Sequence, residues 1–157
     1  MAHQQSYFYD TEVEWTKSKI ATLRSSKLPD LQIAPPPEFQ GAPGFWTPEH
    51  LYVASVNACF VATFLAAADL SKLDFVSFSS GARGKLEKVE GSGYEITEIV
   101  LRPGLVVRQP ADVDRAARVL EKAKSNCLIS KSIKTTVKIE AEINSEGPDA
   151  FVASCGA

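Results

Sequence analysis

The sequence predicts an α+β protein with a mainly antiparallel sheet. Three observations lead to this fold class: short alternating segments come in runs, a long segment from Pro48 to Ala68 is apolar or small on nearly every side, and an amphipathic helix precedes the last strand. Runs of strands with inserted helices are typical of α+β proteins rather than of parallel βαβ repeats.

The chain of 157 residues is predicted to form a single domain, with residues 1–6 and 147–157 as tails. A formal net charge of −2 argues against nucleic acid or an anionic membrane as the partner. The first residues lack a basic start followed by an apolar run, and three cysteines do not suggest a disulfide scaffold. We therefore expect a cytoplasmic protein.

Three short strands are predicted before the long helix. Alternation of apolar and polar residues places them at Tyr7 to Trp15, Ile20 to Ser26 and Asp30 to Ala34, with a turn at Thr16 to Lys19. Three consecutive prolines at positions 35–37 then end regular structure.

The long helix has a clear start. Thr47 suits the N-cap, Pro48 suits the first helical position, and Glu49 lies near the positive end of the helix dipole. A helix without a polar face is either buried in a core or spans a membrane. Polar residues interrupt this one, Asp69 ends it, and aromatic or basic residues do not flank it on both sides, so we predict a buried central helix and no membrane contact.

Five further elements are predicted after this helix. They are a strand at Leu73 to Glu90, a strand at Tyr94 to Leu101 extended by Leu105 to Val107, a helix at Pro110 to Lys124, a helical turn at Leu128 to Ile133, and a strand at Thr135 to Ile143. The turn Gly91-Ser92-Gly93 predicts that the first two strands form a hairpin.

The residues favour thiol chemistry over metal or cofactor chemistry. His3 and His50 are the only histidines, neither has ligand spacing, and glycine-rich phosphate loops are absent, so we predict no metal and no cofactor. Cys59, in mid-helix, fits either a buried apolar residue or a functional thiol. Cys127 follows a helix and begins another turn, where free backbone N–H groups lower a thiol pKa, although a helix-end core residue is equally consistent. Cys155, in the predicted tail, has no assigned role.

Two motifs around these thiols resemble those of a known family. They are Thr47-Pro48-Glu49-His50-Leu51 with Cys59 ten residues after Glu49, and Ala123-Lys124-Ser125-Asn126-Cys127-Leu128-Ile129-Ser130. Both are similar to patterns of the OsmC/Ohr family of osmotically inducible and organic hydroperoxide resistance proteins, close to Asn-Pro-Glu-x-Leu…Ala-Cys-Phe and Ala-x-x-x-Cys-Pro-Val-Ser. The resemblance runs from about Val13 to Ile143, in the same element order.

The resemblance implies a fold and an activity. The fold is an intertwined homodimer in which mainly antiparallel sheets wrap around two long central helices. The activity is a thiol peroxidase that reduces organic hydroperoxides: Cys59 becomes a sulfenic acid, Cys127 resolves it as a disulfide, and a dithiol reductant resets the pair. Glu49 matches the family glutamate that holds a catalytic arginine.

The chain departs from the family at two places. The family arginine falls in the first hairpin, where Lys19 stands here and Arg24 is the nearest arginine. Both are candidates for binding the substrate. Lysine, however, lacks the planar guanidinium group that can hydrogen-bond a carboxylate and a peroxide at the same time. Leu128 replaces the proline after the second cysteine. These departures lead us to expect weak or altered activity.

Helix geometry supports a site shared by two chains. Ten helical residues span about 15 Å, so Glu49 cannot touch Cys59 on one straight helix. Two antiparallel copies crossing near Ala54 would bring Glu49 of one chain beside Cys59 of the other.

The alternative is a non-enzymatic dimer that binds a small apolar ligand in its interface groove, with thiols that are mainly structural.

Overall fold

The computed structural model describes residues 5–147 and the strand Ala153–Gly156, and it confirms the α+β class. Its sheets are a three-stranded sheet and a four-stranded sheet. The chain divides into two compact units, one up to Leu51 and the other from Tyr52 onward.

The first unit contains an antiparallel sheet of three strands in the order β1-β2-β3. The strands are β1 (Glu12–Lys17), β2 (Ile20–Arg24) and β3 (Leu31–Ile33). The first strand begins later than predicted, because its partner strand ends at Arg24, which pairs with Glu12. The alternating residues before Glu12 therefore have no neighbouring strand to bond with. A short 3-10 helix, Pro37–Phe39, follows where the prolines end the sheet.

The second unit contains the long helix, its sheet and two smaller helices. In chain order these are α1 (Pro48–Leu70, whose first turn belongs to the first unit), β4 (Phe75–Val89), β5 (Gly93–Val107), α2 (Val113–Asn126), α3 (Leu128–Lys131), β6 (Thr136–Ser145) and β7 (Ala153–Gly156). The strand order is β4-β5-β6-β7. β5 and β6 are parallel, because the α2–α3 crossover returns the chain to the same end of the sheet, while the other pairs are antiparallel.

Part of the predicted C-terminal tail is a strand. β7 pairs with β6 in the antiparallel direction, from Glu140 opposite Gly156 to Ile143 opposite Ala153. The small residues of β7 give no apolar alternation that predicts a strand, whereas β6 offers a free edge for pairing. Residues 148–152 and 157 of that tail, and residues 1–4 of the other, lie outside the described residues.

The inner face of α1 packs on the long hairpin. Its buried residues recur at helical spacing and are Val56, Phe60, Phe64 and Ala68. The rings of Phe64 and Phe78 lie 4.0 Å apart between centroids. Asn57 Nδ2 donates to the Ser80 carbonyl at 2.8 Å, and Ser80 Oγ donates back to Asn57 Oδ1 at 2.7 Å. These contacts fix the rotation of α1 about its axis, and with it the direction in which Cys59 projects.

The opposite face of α1 is exposed within a single chain. This outer stripe consists of Ala58, Ala62, Leu65 and Ala66. The helix is therefore buried on one face only. The prediction of a buried helix did not say which faces would be buried. By length and by a mean hydropathy of 1.8, α1 would also qualify as a membrane span, a test that core helices of soluble proteins pass as well.

Candidate active site: a pair of thiols

Two thiols that are distant in sequence meet beside α1. Cys59 is half-buried in the middle of α1, and Cys127 is fully buried at the junction between α2 and α3. Each thiol shifts the pKa of the other through a side-chain interaction, and neither cysteine is in a disulfide. This places a free, partly accessible thiol directly against a second, buried thiol.

The junction between α2 and α3 is shaped by the backbone of Cys127. Its φ of −64° and ψ of 117° are extended, so α2 ends at Asn126 and a new helix begins at Leu128. Cys127 Sγ lies 3.9 Å from the Val56 carbonyl oxygen of α1. The first N–H groups of α3 have no acceptor within their own helix, and those of Leu128 and Ile129 lower the pKa of Cys59.

The pKa of Cys59 is lowered from its ordinary value of 9.0. Burial is the largest single influence and acts in the opposite direction, because it disfavours the thiolate. The thiol of Cys127 and the backbone N–H groups of Ile129 and Leu128 donate hydrogen bonds that together outweigh burial, with a smaller contribution from the Thr63 hydroxyl. Cys59 is thus the thiol of the pair that ionises first.

The pKa of Cys127 is raised, so the expectation that backbone N–H groups lower it is wrong: those of Leu128 and Ile129 lower the pKa of Cys59 instead. Burial is the main cause, and the hydrogen bond to Cys59 adds to it, while the hydroxyl and backbone N–H of Ser130 act in the opposite direction. The Ser130 hydroxyl is buried and has no other partner within the described chain. Cys127 therefore keeps its proton and can donate it to a neighbouring thiolate.

A thiolate beside a buried thiol suits two-electron redox chemistry. Reactivity toward peroxides follows thiolate character and access, which favour Cys59. A second thiol in contact with the oxidised sulfur can then close a disulfide. Within the described residues, His, Cys, Asp and Glu side chains do not gather in groups of three or more that could hold a metal ion.

Glu49 lies in the first turn of α1, where Thr47 caps the helix as predicted. Thr47 Oγ1 accepts the backbone N–H of His50 at 3.2 Å and lies 2.8 Å from His50 Nδ1. The carboxylate oxygen Oε2 of Glu49 is buried and has no hydrogen-bond partner among the described residues. A buried carboxylate oxygen without a donor is costly, so this atom is placed to accept a hydrogen bond from a further group.

The two candidate cations have different surroundings. Within the described residues, Lys19 Nζ contacts neutral acceptors of Gln40, the backbone oxygen at 3.3 Å and Oε1 at 3.5 Å. Arg24 forms ion pairs with Glu14 and with Asp30, the latter at 2.9 Å. The hydrogen bonds to Glu14 and Asp30 raise the pKa of Arg24, so its positive charge is paired with two carboxylates. Of the two cations, Lys19 is the one that has no carboxylate partner among the residues that the structure describes.

A groove of about 300 Å³ lies between α1 and α2. Its apolar lining includes Ala66, Ala67, Leu70 and Val119, and Lys122 and Asn126 bring polar groups to it. Thr63, whose hydroxyl contributes to the pKa of Cys59, also lines the groove. An apolar cavity therefore lies one helical turn from the more acidic thiol.

A comparison with models of known protein families covers both thiols and the helices around them. The model of the OsmC-like protein family matches residues 41–142, which include Glu49, both thiols and helices α1 to α3. The chain belongs to the OsmC-like family.

Relatives of this OsmC-like chain are distant in sequence. The uncharacterized protein YmaD of Bacillus subtilis (strain 168) is 25% identical over 141 residues, which cover 87% of this chain and 92% of YmaD. An OsmC-like protein of unknown function from Vibrio cholerae has a solved structure with a TM-score of 0.79 at 21% identity, covering 87% of this chain and 99% of that one. An organic hydroperoxide resistance protein from Elizabethkingia anophelis has a TM-score of 0.73 at 17% identity, covering 92% and 100%.

Sequence reasoning did not identify four of the groups that surround the thiols in this OsmC-like chain. They are the backbone N–H groups of Leu128 and Ile129, the Ser130 hydroxyl and the Thr63 hydroxyl. Two spacings in the sequence indicate the hydroxyl groups. Thr63 follows Cys59 by one helical turn, and Ser130 follows Cys127 by three residues, which is the usual spacing of a helix cap and its partner. The sequence predicted free backbone N–H groups at the start of this turn, but residue identity does not show that they act on Cys59 rather than on Cys127.

Proposed function

We propose that this OsmC-like chain is a thiol-dependent peroxidase that reduces organic hydroperoxides. The observation that carries the proposal is the contact of the low-pKa thiol of Cys59 with the buried thiol of Cys127. The structural similarity to an organic hydroperoxide resistance protein from Elizabethkingia anophelis adds support. In this proposal the protein works in the cytoplasm, where a reductant keeps both thiols reduced.

The first step uses the thiolate of Cys59. Its sulfur attacks the distal oxygen of the hydroperoxide, the O–O bond breaks, and the products are a Cys59 sulfenic acid and an alkoxide that takes up a proton as the alcohol. The nearby groove between α1 and α2 offers an apolar surface for the organic part of the substrate.

The second step uses Cys127. Its sulfur attacks the sulfur of the sulfenic acid, the S–O bond breaks, and the hydroxide leaves with the proton of Cys127 as water. The product is a Cys59–Cys127 disulfide. An external dithiol then reduces it by thiol–disulfide exchange and returns both cysteines to the thiol form.

In this proposal the site is completed by Lys19 and Glu49 in a homodimer. Lys19 supplies the positive charge, since its partners are neutral while Arg24 is held by two carboxylates. Glu49 of one subunit lies beside Cys59 of the other, and its buried Oε2 receives the hydrogen bond that it lacks within one chain. The exposed apolar stripe of α1 supplies the contact between the two helices.

A second candidate is a non-enzymatic dimer that binds a small apolar ligand. The groove of about 300 Å³ between α1 and α2 is the observation that favours it. In that case peroxide would leave the thiols unchanged, and a bound ligand would raise the unfolding temperature by mass action.

Titration of free thiols separates the two candidates. One equivalent of cumene hydroperoxide per chain should remove two thiols in the unmodified protein, and Cys59→Ser should abolish that loss. An unchanged thiol count in excess peroxide would leave only the ligand-binding candidate.

A further inference from the structure

The groove between α1 and α2 carries a single charge. Among the described residues that line it, Lys122 is the one ionisable side chain, and the others are small, aliphatic or neutral polar residues. Ion pairs within the described chain use other cations, such as Arg115 of the same helix, which pairs with Asp112 at 3.5 Å. Lys122 therefore brings a positive charge without a described carboxylate partner to the wall of an otherwise neutral groove.

The neutral polar groups of the groove differ in whether they are free to bind a ligand. Thr63 Oγ1 donates to the Cys59 carbonyl at 2.7 Å, and Ser71 Oγ donates to the Ala67 carbonyl at 2.7 Å, so both hydroxyl protons are used within α1. Asn126 lines the groove four residues after Lys122, on the same face of α2. The Lys122 ammonium and the Asn126 amide are thus the donors that the groove presents to a ligand.

One end of the groove lies at the two thiols. Thr63, which lines it, is hydrogen-bonded to the backbone of Cys59, and Asn126, which also lines it, directly precedes Cys127. Lys122 lies five residues before Cys127, which corresponds to about 7.5 Å along a helix. A small ligand can therefore contact the cation with one end and reach the thiols with the other.

The charge of Lys122 favours an anionic ligand over a neutral one. An uncharged apolar molecule in the groove would remove water from the ammonium group without pairing it, which costs free energy. A carboxylate instead accepts a charge-assisted hydrogen bond from the ammonium group and a second bond from the neighbouring amide. The small apolar residues Ala66 and Ala67 leave room for the body of such a molecule.

We propose that the groove binds organic hydroperoxides that carry a carboxylate, and that Lys122 is the residue that selects them. The carboxylate is held by Lys122 and Asn126, the apolar body lies along α1, and the hydroperoxide faces Cys59. The carboxylate takes no part in the redox step and leaves unchanged on the alcohol. The choice of substrate rests on the proposed peroxidase function, whereas the binding of a carboxylate does not.

Binding is tested with two probes that are not oxidants. 4-Isopropylbenzoate and 4-isopropylbenzamide have nearly the same shape and differ in charge. In titration calorimetry on the reduced protein, the benzoate should bind about five- to tenfold more tightly than the benzamide. Lys122→Met should remove this difference, whereas Lys124→Met, which deletes the same charge outside the groove lining, should retain it.

Substrate choice is tested with cumene hydroperoxide and its derivative with a carboxylate in the para position. The ratio of their kcat/KM values, anionic over neutral, should fall about five- to tenfold in Lys122→Met and stay the same in Lys124→Met. High salt should also lower this ratio in the unmodified protein, because ions screen the attraction between the carboxylate and the lysine.

The outcomes separate this inference from the proposed function. Equal binding of the two probes to the unmodified protein, or a preference for the benzoate that persists in Lys122→Met, would overturn the role of Lys122. A preference for the benzoate that depends on Lys122, in a protein that consumes neither peroxide, would support the carboxylate site and reject the peroxidase. Equal kcat/KM values for the two peroxides would retain the peroxidase and reject the selection by Lys122.

Discussion

Two chemically identical side chains acquire different properties at the scale of single residues. Cys59 is half-buried and its pKa is lowered, while Cys127 is fully buried and its pKa is raised. The thiol that can be reached is therefore also the thiol that ionises more easily. This division is what a peroxidatic and a resolving cysteine need.

The pH dependence of the reaction with peroxide follows from this division. The rate should rise with pH as Cys59 loses its proton and reach a plateau once the thiolate is fully formed. Because the pKa of Cys59 is lowered, the plateau should begin at a lower pH than for an unperturbed thiol, as stopped-flow rates with cumene hydroperoxide can show.

The same profile tests the proposed cation. Lys19→Ala should move the rising part of the curve to higher pH, and Lys19→Arg should not. Arg24→Ala serves as the comparison, since Arg24 is already paired with Glu14 and Asp30. A profile that moves in Arg24→Ala but not in Lys19→Ala would assign the role to the arginine.

At the scale of elements, the sequence predicted the order of β1 to β6 and all three helices, because each carries its own periodicity or capping residues. Thr47, Pro48 and the apolar run define α1 without knowledge of its neighbours. β7 was missed, since its four residues form a strand only because β6 presents an edge. The contact between the thiols was implied by the family resemblance, but the orientation of Leu128 depends on where α3 begins, which single-residue patterns do not encode.

The packing of α1 on β4 depends on a glycine. A Cβ at Gly84 would overlap Val53 Cγ2, whereas a Cβ at Gly81 on the same strand would meet no atom within 4 Å. Gly84→Ala should therefore lower the free energy of unfolding by about 2 kcal/mol in urea titration, because α1 must shift from the hairpin.

Two comparisons check the cause of that loss. Gly81→Ala places the same methyl group in open space and should change stability little. Adding Val53→Ala to Gly84→Ala should recover part of the loss, since it removes the overlapping methyl group. Additive effects of the two changes would show that the overlap is not the cause.

At the scale of the whole molecule, the outer stripe of α1 stays exposed to solvent in a single chain. Its small apolar residues at helical spacing allow close approach of another helix, and the buried Glu49 Oε2 lacks a donor within the described chain. Both observations are explained if two copies pack through α1. The family resemblance implied this dimer, and the distance between Glu49 and Cys59 on one helix supported it.

A charge in the outer stripe should disrupt this contact. Ala62→Glu would bury an unpaired carboxylate between the helices, so we expect a monomer in analytical ultracentrifugation and a large loss of peroxide consumption. Ala111→Glu introduces the same charge at an exposed position before α2 and should leave the assembly intact. A dimer that persists in Ala62→Glu would place the interface elsewhere.

In the proposed reaction Cys59 is oxidised first, and Cys127 resolves it within the same chain. Mass mapping after one equivalent of an organic hydroperoxide tests this directly. The unmodified protein should contain an intrachain Cys59–Cys127 disulfide, and Cys127→Ser should instead carry a Cys59 sulfenic acid that dimedone traps. Oxidation at Cys155 with Cys59 left reduced, or no oxidation at all, would contradict the account.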